Sequence, residues 1–547
     1  MKVKIENKEY DFESGITLEE IYEKIEDKTE FPVLAAYIDN EIHALTQKVK
    51  KDCTVRFIDF STREGNKIYQ KGLIFLLYYT VHKMYNGKNM IRVCHSIDKG
   101  IRIRTDFIID DNELNKIYEN MQDIVKQALP IKKCLVKMND AINYFKAMKR
   151  EDKVGTLKYI TNHYVNLYKI DDAYEYLFSV MPINTNVFTR FRFKKLNQKE
   201  FVLEFPGVKT NGEIPEYISR EKIVEAYNTN YKLSTKLGIF TASDINKAIA
   251  TGRIKDIIML DEVVSNTNLL YLAKNIYEGK DKIRIVLIAG PSSSGKTTTA
   301  RKLSTYLKSF GLNPKPLSVD NYFMEREETP KLPNGEYDYE SLRAIDVDLF
   351  NDHLTKLLNH EKVNMPTYNF KSGKKEYLGK ELKLDEDDIL IIEGLHCLNE
   401  ELTKSIPREN KYKIYVSPFT DLNVDELNMV STSDIRLIRR IVRDNRTRGY
   451  TALDTIKSWS KVRSGEEDYI FPLQQEADIV YNSSLIYELG VLKLYVEPLL
   501  YGIDTTSEYY EEARRLINFL SMFLVVPTET IPAESILREF IGGSYFE

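Results

Sequence analysis

Cysteine is scarce in this chain: four in 547 residues (Cys53, Cys94, Cys134, Cys397), far apart and with no C-x-x-C pair. That argues against a disulfide framework or thiolate metal site and fits a reducing cytoplasm. Long apolar runs are missing too. The longest, near Leu73–Val81 and Leu516–Val526, fall short of the ~20 residues a membrane-spanning helix needs. Met1 opens a strand pattern and not a signal peptide, so a cytoplasmic protein without a membrane partner is expected. The seven histidines contain no H-x-x-x-H pair, the helical spacing that lets two imidazoles reach one metal. A net charge of −4 leaves no global basic footprint for nucleic acid, so any such surface must be local.

What is present is globular in character, with 43% hydrophobic and 29% charged residues. The length suits about three to four domains. The chemistry centres on Ile283–Ala300, IRIVLIAGPSSSGKTTTA. The run Ile285-Val286-Leu287-Ile288 reads as a buried strand. It enters Gly290-Pro291-Ser292-Ser293-Ser294-Gly295-Lys296-Thr297, which satisfies G-x-x-x-x-G-K-[ST] at every fixed position. Small residues let consecutive N–H groups turn inward on a phosphate. The helix predicted over Thr298–Phe310 aims its positive end at the same anion. Gly290, Ser292, Ser293, Ser294, Gly295, Lys296, Thr297 and Thr298 are therefore the candidate nucleotide-binding residues, with Lys296 at the β/γ-phosphates and Thr297 on Mg²⁺.

Two further strands are predicted to end in carboxylates. Lys315–Val319 leads to Asp320, 24 residues after Lys296, and Ile389–Ile392 leads to Glu393-Gly394. Ligands of doubly wound sheets gather at the carboxyl ends of strands. Asp320 there can accept a hydroxyl proton and touch the metal shell, and Glu393 can reach Mg²⁺ directly or through water. Further on, Arg436, Arg439, Arg440 and Arg443 are predicted to share one side of a helix opposite Leu437, Ile438 and Ile441. Four guanidiniums in this pattern suit a lid over transferring phosphate.

These segments resemble the phosphoribulokinase/uridine kinase group of P-loop kinases, most strongly from Ile283 to Asp478. Asp320-Asn321-Tyr322-Phe323 is similar to the family's D-x-F/Y-F/Y segment, whose first Asp is the proposed base. Tyr337-Asp338-Tyr339-Glu340-Ser341 with Ala344-Ile345-Asp346 is similar to F-D-x-P-x-A-F-D, which gives Glu340 the ribose hydroxyls. Pro366-Thr367-Tyr368-Asn369-Phe370 is similar to the segment that packs on the acceptor base. Asp434 to Asp444 is similar to the D-x-R-x-x-R-R-x-x-R-D lid. The resemblance implies ATP and Mg²⁺ as cofactors and Asp320, Lys296 and Arg440 as catalytic residues. It implies Phe323, Glu340, Tyr368, Phe370 and Arg436 at the acceptor, Arg439 and Arg443 in the lid, and Thr297, Asp320 and Glu393 at the metal. One departure bears on specificity: Gly373 and Lys375 stand where the family's nucleoside kinases carry His and Arg.

Upstream, residues 1–61 read as strand–strand–helix–strand–strand with a closing strand, the helix opened by the capping box Thr17-Leu18-Glu19-Glu20. Order and spacing resemble the β-grasp TGS domain of threonyl-tRNA synthetases. Residues 62–210 resemble the α+β editing domain of that family through Thr62-Arg63-Glu64-Gly65, Val93-Cys94-His95-Ser96-Ile97 and Leu167-Tyr168-Lys169-Ile170-Asp171-Asp172, without its zinc motif. Alternating Arg190, Phe191, Arg192, Phe193, Lys194 reads as a strand with one charged face; an RNA-facing sheet is the sharper alternative. Residues 211–279 are expected as a helical connector, 280–500 as the kinase with a parallel sheet flanked by helices, and 501–547 as a helical tail docking on another domain or on a second copy in a homo-oligomer. The expected fold class is multi-domain α/β. The expected function is phosphoryl transfer from ATP to a small-molecule hydroxyl, above all a nucleoside 5′-hydroxyl. The alternatives are a kinase of another small alcohol (sugar or pantothenate-like) and a nucleotide-dependent RNA-binding or regulatory protein.

Overall fold

Five wholly parallel strands form the sheet that carries the phosphate loop, in the order Asn313–Ser318, Asp388–Glu393, Ile285–Ala289, Lys411–Ser417, Ile479–Asn482. The computed structural model describes residues 1–97, 100–332 and 335–546. Parallel strands covered on both faces need continuous apolar runs, and all five residues of Ile285–Ala289 are buried. Pairing in register sets Ile288 opposite Glu393 and Glu393 opposite Ser318. The carboxyl ends of three neighbouring strands therefore meet at one edge, where the phosphate loop and both candidate carboxylates project.

The first unit is a five-stranded sheet around helix Leu18–Lys24, with Lys2–Ile5 and Cys53–Ile58 parallel at its centre. Thr17 and Glu20 form the expected capping box. The second unit wraps helix Arg63–Met84 with a four-stranded sheet, Arg192–Asn197, Glu200–Glu204, Gly100–Thr105 and Ile91–Ile97, and a three-stranded one. In that sheet the basic strand is neutralised locally. Arg192 pairs with Glu204 at 2.7 Å and Lys195 with Asp111 at 2.8 Å, while Arg190 lies over Phe31 and donates to Gly212 O. The adjacent Cys94 and His95 are buried, the imidazole stacked on Tyr227 with centroids 3.5 Å apart. Burial drives that imidazole down to about 3 and the Cys94 thiol up to about 11.

Two expected boundaries do not separate packing units. The connector helix Ile254–Glu278 lies against the phosphate-loop helix Lys296–Ser309, and Leu269, Leu272 and Ile276 share an apolar core with Val286, Ile288 and Leu303. The tail joins the same core through Leu516, Leu520, Val526, Ile536 and Phe540. Both segments cover the otherwise exposed apolar face of the sheet, which no local pattern reports. Before the lid helix, residues 423–427 reach into the second unit: Val93 N donates to Glu426 O, Asn423 Nδ2 to Val93 O, and Lys153 pairs with Asp425 at 3.0 Å, both buried.

Candidate active site

The phosphate loop is closed by contacts from distant chain. A Cβ at Gly290 would sit 2.2 Å from Val416 O, so only glycine permits the strand beside it to approach. Ser293 takes φ 59° and Gly295 φ 86°, which turns the loop inward. Ser293 Oγ and Ser294 Oγ are buried with no hydrogen-bond partner, and Thr297 is exposed at the rim. Such orphaned hydroxyls around an inward loop fit a phosphate chain, whose oxygens would satisfy them. Lys296 Nζ folds back onto Pro291 O at 3.2 Å.

Asp320 is the second residue of the single turn Val319–Tyr322 that follows Asn313–Ser318, where its side chain is solvent-reachable. Packed protein around it pushes its carboxyl up, and Lys296, Arg448 and Arg443 oppose that. Glu393 accepts from Ser318 Oγ at 2.9 Å; burial, then the Asp320 charge, raise it to about 7, against Lys296. Asp320 and Glu393 thus both feel the charge of Lys296, which Thr297 follows in the chain. Among the described residues no group of three or more His, Cys, Asp or Glu forms a metal cage. Two carboxylates and a hydroxyl do fit Mg²⁺, which usually completes its shell with phosphate oxygens and water.

The next wall is aromatic. Phe323 lies 5.5 Å from Tyr368 and 6.0 Å from Phe370, and Tyr368 Oη is buried without a partner. Glu340 is half-buried nearby and raised to about 7, first by burial and then by Glu466, against Arg440. Gly373 has φ 72°, and a Cβ there would meet Arg326 at 2.8 Å. Arg326 holds that turn as a donor: its backbone N–H donates to Gly373 O and its guanidinium to Phe370 O, each at 2.9 Å. Lys375 is committed to Asp346. Gly373 thus closes a turn and Lys375 lies on the strand that leaves it.

The lid helix Thr432–Arg448 divides its arginines, contrary to the expectation that four share one side. Arg436 and Arg439 are fully buried. Arg436 braces the loop from behind, pairing with Glu466 and donating to Ser292 O at 2.9 Å, so it does not contact an acceptor. Arg439 pairs with Glu488 at 2.6 Å and donates to Ser483 O at 2.8 Å, so it is a strut and not a lid residue. Arg440 donates to Ser292 Oγ at 2.8 Å, and Arg443 pairs with Asp444 at 2.8 Å. Arg440, Arg443 and Arg448 share Asp444 as an ion-pair partner, and their charges oppose the upward push on Glu340 (Arg440) and on Asp320 (Arg443 and Arg448). Arg439→Ala should therefore cost about 3–5 kcal/mol, the scale of breaking a buried pair, read as a fall in denaturation midpoint. A solvent-facing lid arginine would lose activity with the midpoint unmoved.

Sequence reasoning missed Glu466, which accepts from Ser292 N at 3.1 Å, and Glu539, which accepts from Thr298 N and Oγ1 at 3.1 and 2.7 Å. Both contacts span more than 170 residues, so no local spacing signals them.

A parallel sheet with a phosphate loop at its central strand, and carboxylates at the ends of the adjacent strand and the one beyond it, defines the class of a P-loop kinase. The sequence pattern of the Phosphoribulokinase / Uridine kinase family matches residues 285–485. A uridine kinase of Borrelia duttonii (strain Ly) is 30% identical over 221 residues, 38% of this chain and 93% of that protein. One of Anoxybacillus flavithermus (strain DSM 21510 / WK1) is 28% identical over 197 residues, 36% of this chain and 84% of its own. A solved structure described as a possible uridine kinase from Bacillus stearothermophilus is 18% identical, with a TM-score of 0.29, covering 40% of this chain and 98% of that one. The chain belongs to the phosphoribulokinase/uridine kinase family through its C-terminal region, residues 285–485, and is an ATP-dependent kinase of a small alcohol. Among the described residues no helix is long and apolar enough to cross a membrane.

Proposed function

We propose that the acceptor is a nucleoside and that its 5′-hydroxyl takes the γ-phosphoryl group of ATP. The observation that carries this is the continuity of the site: Asp320 and Phe323 lie on one turn, so a hydroxyl at Asp320 leaves the rest of the acceptor against Phe323, Tyr368 and Phe370. Flat aromatic walls suit a base, and the Glu340 carboxylate suits vicinal ribose hydroxyls. Asp320 would take the hydroxyl proton as the oxygen attacks the phosphorus in line. Lys296, Arg440 and Arg443 would carry the charge on the oxygens of the transferring group. Thr297, Asp320 and Glu393 would hold Mg²⁺, which when bound supplies charge neutralisation across the β- and γ-phosphates.

The turn at Gly373 removes the donor that would read a uracil edge, so preference among bases should be weak. For residues 1–61 and 62–210 the proposal is a TGS-like and an editing-like binding module, supported by the sheet order of the first and the quoted motifs of the second. The local neutralisation of Arg192 and Lys195 weighs against an RNA-facing sheet there. The test is steady-state ATP turnover with a panel of nucleosides, sugars, pantothenate and total RNA. Stimulation by several nucleosides is expected. Stimulation by a sugar or pantothenate alone would replace the acceptor, and stimulation by RNA alone would replace the reading.

A further inference from the structure

Two carboxylates touch the phosphate loop, and they differ in kind. Glu466 belongs to the buried pair with Arg436 and meets the loop at Ser292 N. Glu539 comes from the tail and meets it at Thr298, where both the backbone N–H (3.1 Å) and the hydroxyl (2.7 Å) donate to the same carboxylate oxygen. Thr298 stands in the first turn of the phosphate-loop helix, directly after Lys296 and Thr297. Its N–H and hydroxyl are donors of the kind that cradle the α/β-phosphates of a bound nucleotide. A carboxylate oxygen accepting from both presents the charge and lone pairs that a phosphate oxygen would.

The tail segment is seated there by contacts other than Glu539. Ile536 packs on the loop, its Cγ2 3.0 Å from where a Cβ of Gly295 would be. Arg446 of the lid helix donates to Glu539 O and Phe540 O at 3.0 and 3.2 Å, and the Arg439 guanidinium lies 5.0 Å over the Phe540 ring. Arg538 holds the segment together by donating to Thr528 O and Ile531 O. The two hydrogen bonds from Thr298 place the Glu539 carboxylate at the first turn of the phosphate-loop helix, and its charge adds to the upward push on Glu393.

Resting on the nucleotide-site reading above, we infer that Glu539 is an internal phosphate mimic: the tail occupies the nucleotide's phosphate cradle, and ATP must displace the Glu539 carboxylate to bind. The tail is thus a built-in competitor that lowers the apparent affinity for nucleotide by the fraction of time it is docked. Because Arg446 ties the same segment to the lid helix, displacement also loosens that helix, coupling nucleotide entry to lid movement.

The experiment is calorimetric titration of ATP with Mg²⁺ into the full chain, into Glu539→Gln and into Lys296→Ala. Glu539→Gln keeps size and some hydrogen bonding but removes the charge, and should bind ATP ~10-fold more tightly, the scale of one charge-assisted hydrogen bond. Unchanged or weaker binding by Glu539→Gln, with the unaltered chain binding normally, overturns the inference and leaves the nucleotide site standing. Failure of the unaltered chain and both variants to bind ATP overturns the nucleotide-site reading and the inference with it. Hydrogen exchange on the unaltered chain gives a second readout that needs no variant. Saturating ATP should speed exchange in residues 535–543, and slowed or unaltered exchange there overturns displacement.

Discussion

Asp320→Asn is expected to reduce phosphoryl transfer by about 10²–10⁴-fold, the usual contribution of a positioned general base, while ATP still binds. Asparagine preserves the shape of the side chain and can accept a hydrogen bond, but it cannot take a proton from the acceptor hydroxyl. Asp320 is solvent-reachable, ends a strand next to Glu393 and sits in the field of Lys296, Arg448 and Arg443. Those cations favour the ionised carboxylate that the base needs. The check is single-turnover transfer to the acceptor found in the panel, beside calorimetric ATP binding. Transfer at the unaltered rate would remove Asp320 from the chemistry. Loss of ATP binding together with transfer would mean that its part is in the metal shell alone.

Lys296→Ala should be the more general lesion. It is expected to lower kcat by about 10²–10³-fold, as removal of one preorganised charge stabiliser does, and to weaken ATP binding as well. The ammonium is the one loop cation whose field reaches Asp320, Glu340 and Glu393 together. Removing it leaves three carboxylates without their shared counter-charge, so all three should bind protons more readily. A rise in the lower pH limit of activity accompanying the loss distinguishes this from simple misfolding, which moves no titration. An Ala variant with unaltered kcat would place the triphosphate elsewhere.

The two lesions separate because the site is built from pieces of different legibility. The phosphate loop could be read directly, since Gly290, Gly295, Lys296 and Thr297 act together from within eight consecutive residues. Asp320 and Glu393 were legible as carboxylates at predicted strand ends, and parallel pairing in register brings those strands side by side. The arginine helix was only half legible. Spacing places Arg436, Arg439, Arg440 and Arg443 on neighbouring turns, but whether a guanidinium faces solvent or core depends on what packs there. Glu466 and Glu488, 30 and 49 residues further along, turn two of the four into buried struts. Gly373 shows the same limit from the other side. The sequence marks a missing histidine, while the structure adds that Arg326 and a positive φ leave no room for one.

By itself, then, the sequence determined the reaction class, the parallel character of the kinase sheet and the absence of a histidine zinc pair, because each depends on neighbours in the chain or on simple strand periodicity. Tertiary structure alone decided which arginines are buried as struts, how the connector and tail close the kinase core, and that Glu539 lies on Thr298 from 241 residues away. The physical reason is common to all three. Burial and charge pairing are set by groups that meet only after folding, and a charged side chain carries no mark in the sequence of the partner it will find.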